Sequence, residues 1–142
     1  MVIKKKIYNR ILLNVPENPP ETGGIIGCKN GIVSYVFFDE GIKGDRQCCY
    51  IPDTDKLNLI IKEWDSHGIE FAGIFHVHFW KVDTLSNADY KYIQKIMDSM
   101  PEKVKKLYFP LVVLPEKKII SYVADRKNSD ITLKKEDIYI CD

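Results

Sequence analysis

The sequence predicts an α/β (α+β) fold, a mixed β-sheet sandwiched by helices, and three observations carry that reading. Apolar residues recur at helical spacing in three stretches, strand-like apolar runs lie between and after them, and the chain has the size of one compact domain. With 142 residues, 45% hydrophobic and 29% charged, it can bury a core unaided, so a single domain over residues 1–142 is expected. A net charge of +1 supplies no bulk pull toward nucleic acid or a membrane surface, and neither is expected as a partner. No apolar run approaches the roughly 18 residues of a membrane span. The start MVIKKKIYNR lacks the apolar core and cleavage site of a signal peptide, which makes the cytoplasm the expected compartment.

The elements follow in order. From Lys4 to Val15, Ile7, Ile11, Leu12 and Val15 recur at near-helical spacing, and that helix must stop at Pro16. Three prolines between Pro16 and Pro20 make a rigid connector. Strands are expected over Glu21–Lys29 and Ile32–Phe38, paired antiparallel around Asn30-Gly31, because a type I′ turn needs positive φ at both central residues. A third strand is expected from about Arg46 to Ile51. Pro52-Asp53-Thr54-Asp55 then reads as a helix start, with Leu57, Ile60, Ile61 and Trp64 on one stripe and Gly68 as the stop. Phe71–His78 is an apolar strand, and a helix over Ser86–Met100 carries Ile93, Ile96, Met97 and Met100 on one face. Leu107–Leu114 and Lys118–Ala124 form a strand pair around Pro115-Glu116-Lys117, whereas residues 125–142 are too polar to assign. Cys28, Cys48, Cys49 and Cys141 form no C-x-x-C pair and no disulfide framework, so free thiols are expected.

The chemistry concentrates in His76-Val77-His78 and Ser86-Asn87-Ala88-Asp89. Side chains at i and i+2 of a strand share a face, so His76 and His78 can aim two imidazole nitrogens at one point. The loop after them is long enough to bring Asp89 in from the first turn of the next helix as a third ligand. Two His plus a carboxylate, with a fourth position left to water, is a hydrolytic zinc arrangement. Each part also has a plain structural reading: paired core histidines that hydrogen bond one another, and a capping box with Ser86 at N-cap and Asp89 at N3.

His76-x-His78-x7-Ser86-x-x-Asp89, preceded by Glu21 in Glu21-Thr22-Gly23-Gly24-Ile25-Ile26-Gly27, resembles the JAMM signature of the MPN+ metalloproteases, which remove ubiquitin and ubiquitin-like proteins. The resemblance spans roughly Glu21 to Ala124 and implies the MPN, cytidine-deaminase-like fold. It implies one zinc ion (Zn2+) per chain held by His76, His78 and Asp89, with Glu21 as the general base toward the metal-activated water and Ser86 as hydrogen-bond donor to the developing oxyanion. The substrate it implies is the C-terminal Gly-Gly tail of a ubiquitin-like or sulfur-carrier protein, as in the minimal prokaryotic-type branch. Phe79 and Leu85 stand where that family commonly has prolines. An extended tail is expected to add to a sheet edge, with the hairpin containing Glu21 as candidate edge and Phe79 and Trp80 lining the approach. His67 is expected at a helix C-terminus rather than on the metal. A deaminase would need H-x-E and a later P-C-x-x-C, and both are missing. The alternative function is a noncatalytic partner-binding scaffold of the same fold, and the oligomeric state, a homodimer included, stays open.

Overall fold

The computed structural model describes residues 1–42 and 49–142. In chain order the elements are β1 (Val2–Lys4), α1 (Lys5–Asn14), β2 (Gly23–Lys29), β3 (Ile32–Asp39), α2 (Thr54–Ser66), β4 (Glu70–His78), α3 (Asn87–Ser99), β5 (Lys106–Val113), β6 (Lys118–Lys127), β7 (Asp130–Glu136) and β8 (Tyr139–Cys141). The described strands form one eight-stranded sheet in the order β7-β6-β5-β4-β2-β3-β1-β8. It is mixed, because β4 pairs parallel with β5, and β1 parallel with both β3 and β8, while the other pairs are antiparallel.

Both faces of the sheet are covered. On one, Ile7 and Ile11 of α1 pack with Ile26, Val33, Val36, Phe75, Val77 and Val112. On the other, Leu57 of α2 and Ile93 and Met97 of α3 join Ile25, Ile74, Leu107, Phe109, Leu111 and Val113. Strand β4 alternates between these two cores, which fixes the direction of its last histidines. Phe75 and Val77 point to the α1 side, so His76 and His78, in phase with Ile74, face α2 and α3.

Local signals explain most element ends. Asn30 and Gly31 have φ of 53° and 77°, the positive pair that joins β2 to β3. Asp53 caps α2 by accepting the Lys56 N–H at 3.3 Å, and Gly68 takes φ 71° just past its C-cap, His67. Gly73 pairs with Tyr108, and a Cβ there would run into the Tyr108 carbonyl, so only glycine lets β4 and β5 approach at that point.

Three expectations need correction. Part of the predicted third strand, Arg46–Cys48, lies outside the described residues, and Cys49–Ile51 forms no strand. That segment is held instead by contacts across sequence, such as the Ile42 N–H donating to the Ile51 carbonyl at 2.9 Å. The polar C-terminal stretch does fold, since β7 pairs with β6 and β8 pairs with β1. Finally, the hairpin of β2 and β3 is only partly an edge: β4 covers β2, and β1 meets β3 near the turn, at Ile3 and Val33, while Val36–Asp39 pair among the described residues with β2 alone.

Candidate metal centre

His76 and His78 stand at the C-terminal end of β4 with their rings on one face, as period-two alternation requires. Opposite them, α3 begins with a capping box in which the Asp89 N–H donates to Ser86 Oγ at 3.1 Å and the Ser86 N–H donates to Asp89 Oδ2 at 2.7 Å. The box sets the direction of the Asp89 carboxylate. Ile93 and Met97, four and eight residues on along the same face, are buried in the core. Each contributes about 1.5–3 kcal/mol and seats that turn of α3 against β4.

The three side chains converge. His76 Nε2 lies 3.2 Å from Asp89 Oδ1, His78 Nε2 lies 3.1 Å from Asp89 Oδ2, and the two Nε2 atoms are 3.1 Å apart. Ligand atoms about 2.0–2.1 Å from one tetrahedral zinc are about 3.3 Å from each other, a spacing close to that of the two Nε2 atoms and of each Nε2 with its nearer carboxylate oxygen. His76, His78 and Asp89 are 1%, 4% and 8% exposed, and together they could hold a metal ion. Two imidazoles aimed at each other and at one carboxylate, away from water, are the donor types a metal ion takes. The residues present therefore fit zinc. Behind His76, the Tyr92 hydroxyl lies 3.5 Å from Nδ1, and its ring stands edge-on to the imidazole.

The electrostatics follow from this crowding. Burial would raise the Asp89 carboxyl, but hydrogen bonds to His76 and His78, their charge and the Ser86 N–H outweigh it, holding the group far below the usual carboxylate range. His76, fully enclosed, is lowered chiefly by burial. Burial also disfavours the His78 cation, but the Asp89 hydrogen bond and charge, with Glu21 adding to them, leave its pKa raised.

Glu21 arrives from the neighbouring strand. Gly23 pairs with His76, and the Val77 N–H donates to the Thr22 carbonyl at 2.9 Å, so Glu21 lies beside His78. It lies two residues before β2, and its charge acts on that of His78. Its Oε2 accepts the Tyr50 N–H at 3.2 Å. Burial pushes the Glu21 carboxyl up to about 7, against the opposing pull of His78 and the Tyr50 N–H, with Asp89 adding to the rise. Ser86, at the exposed mouth of the site, accepts the Asp89 N–H through Oγ and keeps its own proton to donate.

His76, His78 and Asp89 are thus found around one point, with Ser86 bonded to Asp89 and Glu21 next to His78. Of the flanking aromatics, Phe79 is not as expected: it is 5% exposed and belongs to the core on the α1 side, because the alternation of β4, carried one residue past its end, turns it away from the histidines. Trp80 is 73% exposed. His67 is the exposed C-cap of α2, with Nδ1 2.9 Å from the Glu63 carbonyl, as predicted. Sequence reasoning missed Tyr50 and Tyr92. Tyr92 lies three residues after Asp89 on α3, a spacing that could have revealed it, whereas nothing local marks Tyr50.

No protein-family model matches the chain, and no curated protein matches it in sequence. Solved structures do match in shape. The solution structure of protein DSY2949 from Desulfitobacterium hafniense is similar over 99% of this chain and 92% of its own, with TM-score 0.70 and 17% identity. AF2198, a JAB1/MPN domain protein from Archaeoglobus fulgidus, is similar over the full length of both chains, with TM-score 0.59 and 15% identity. Identities this low speak to fold alone, and the fold is the JAB1/MPN type, with a buried His-His-Asp group able to hold a metal at the end of β4.

Proposed function

We propose that this protein is a zinc-dependent isopeptidase or peptidase of the JAMM type that hydrolyses the bond after the C-terminal Gly-Gly tail of a ubiquitin-like or sulfur-carrier protein. One observation carries the reading: a carboxylate, Glu21, stands just before β2 next to His78 of the His76-His78-Asp89 group and has its pKa pushed up to about 7. A zinc ion held by His76, His78 and Asp89 would acidify a water and polarise the substrate carbonyl.

The protein's own groups then have distinct tasks. Glu21 takes a proton from the attacking water as its oxygen bonds to the carbonyl carbon. A base near neutral pKa can both accept that proton and return it, here to the amine nitrogen as the C–N bond breaks. The Ser86 hydroxyl donates toward the carbonyl oxygen as negative charge develops on it. Buried walls around His76 and His78 strengthen each of these interactions by excluding water.

Incubation of the zinc-loaded protein with Gly-Gly-tailed ubiquitin-like fusions, with and without a chelator, tests the reading. Cleavage after Gly-Gly is expected only without chelator. Glu21→Gln should keep zinc and lower turnover roughly a hundredfold or more. A zinc-loaded protein that cleaves none of the fusions yet holds one in a stable complex would favour the scaffold function instead.

A further inference from the structure

We propose that Tyr50 is a positioning residue for Glu21, clamped by Asp39 so that its backbone N–H holds the Glu21 carboxylate beside His78. The clamp has three parts. Asp39, 3% exposed at the end of β3 and opposite Gly23 in the ladder, accepts the Tyr50 hydroxyl through Oδ2 at 2.6 Å. The same oxygen accepts the Asp53 N–H at 3.0 Å, and Lys56 Nζ is 3.9 Å from Oδ1, so one buried carboxylate ties Tyr50, Asp53 and Lys56 to the end of the hairpin. The Tyr50 ring, itself 8% exposed, lies against Gly23: a Cβ on that glycine would sit 2.7 Å and 2.8 Å from the two Cε atoms. The third part is the Tyr50 N–H, which donates to Glu21 Oε2 at 3.2 Å.

Each part has a physical consequence. A free glutamate side chain has about 1.5–2 kcal/mol of rotamer entropy to lose on ordering. A donor on an already immobile backbone reduces the cost of keeping Glu21 in one rotamer, because Tyr50 is fixed at its ring and at its hydroxyl before Glu21 is held. Burial and the Asp39 charge keep the Tyr50 hydroxyl protonated, so it remains a donor to Asp39. Gly23 contributes by lacking a Cβ, which leaves room for both the Phe75 carbonyl of β4 and the Tyr50 ring.

The effect on turnover rests on Glu21 acting as proposed above, while the hydrogen bond itself does not. The experiment therefore has two arms on the full-length zinc-loaded protein, comparing wild type with Tyr50→Phe, Asp39→Asn and Glu21→Gln. In the first, amide hydrogen exchange at position 50 is followed by NMR. Tyr50→Phe keeps the ring but loses the anchor, and exchange there should accelerate about tenfold, the scale of one hydrogen bond. Asp39→Asn retains an acceptor oxygen and should stay close to wild type. In the second arm, Tyr50→Phe should lower kcat about tenfold on a Gly-Gly fusion at unchanged KM and zinc content. Unaltered exchange in Tyr50→Phe would overturn the clamp. Faster exchange with unaltered kcat would overturn the positioning role. A wild type that cleaves no fusion would count against the proposed function, and the exchange arm would then decide the clamp alone.

Discussion

A proton and a metal ion compete for the same space between His78 and Asp89. Burial lowers the His78 pKa, but the Asp89 carboxylate and the nearby Glu21 outweigh it, so the metal-free site favours a proton there. Ligation requires the neutral imidazole. As pH falls through the raised His78 pKa, zinc affinity should therefore drop about tenfold per pH unit, and calorimetric titration across that range would show a flat affinity if no such competition existed. Glu21 gives the opposite kind of linkage from an ordinary surface carboxylate. Its folded-state pKa, about 7, is above the unfolded value of 4.5, so the folded chain binds a proton the unfolded chain has released. Ionised Glu21 therefore detracts from metal-free stability above pH 4.5, most fully above about 7. Glu21→Gln should stabilise the metal-free protein by about 1 kcal/mol at pH 8, a figure reduced for partial exposure of the group. In urea denaturation the gain should vanish at pH 4, and a gain equal at both pH values would point to some other cause.

At the scale of elements, the first turn of α3 does two jobs with one pair of residues. Ser86 and Asp89 close a capping box that is legible in sequence from Ser-x-x-Asp, and the same box turns Asp89 toward the histidines. Ser86→Ala should cost about 1 kcal/mol of stability, whereas Ser86→Asp should restore the cap without a hydroxyl donor. Turnover low in both variants, with stability recovered only in the second, would separate catalysis from capping. Turnover restored by Ser86→Asp would deny the hydroxyl its role. In β4, Gly73→Ala should destabilise by about 3 kcal/mol or more in the same denaturation measurement, since the new Cβ meets the Tyr108 backbone of β5 and backbone cannot swing aside. A near-neutral result would mean the two strands are not in the register found here. The hairpin was readable because Asn30-Gly31 is a local signal. Its place in the sheet was not, because β4 and β1, far away in sequence, pair with β2 and with the start of β3.

Across the whole molecule, the sheet buries both faces, and that arrangement separates what sequence reveals from what it hides. Helical periodicity locates α1, α2 and α3, and the spacing of His76, His78 and Asp89 is legible without any geometry. Strands β7 and β8 escaped because edge strands expose one side and read as polar, and because β8 pairs with β1 at the opposite end of the chain. Tyr50 and Asp39 escaped for a related reason: their significance comes from a bond between two segments, not from either alone. Phe79 misled because an aromatic after two ligands suggests a groove, while strand alternation sends it into the opposite core. What the fold adds to the motif is direction, with β4 and α3 presenting the two sides of one buried His-His-Asp group. Metal analysis of the purified protein tests that convergence most directly. About one zinc per chain is expected in wild type and in His67→Ala, whose side chain caps α2 away from the centre, with most of it lost in His76→Ala and in Asp89→Ala. Zinc content unchanged in those last two variants would contradict a metal site built from these side chains.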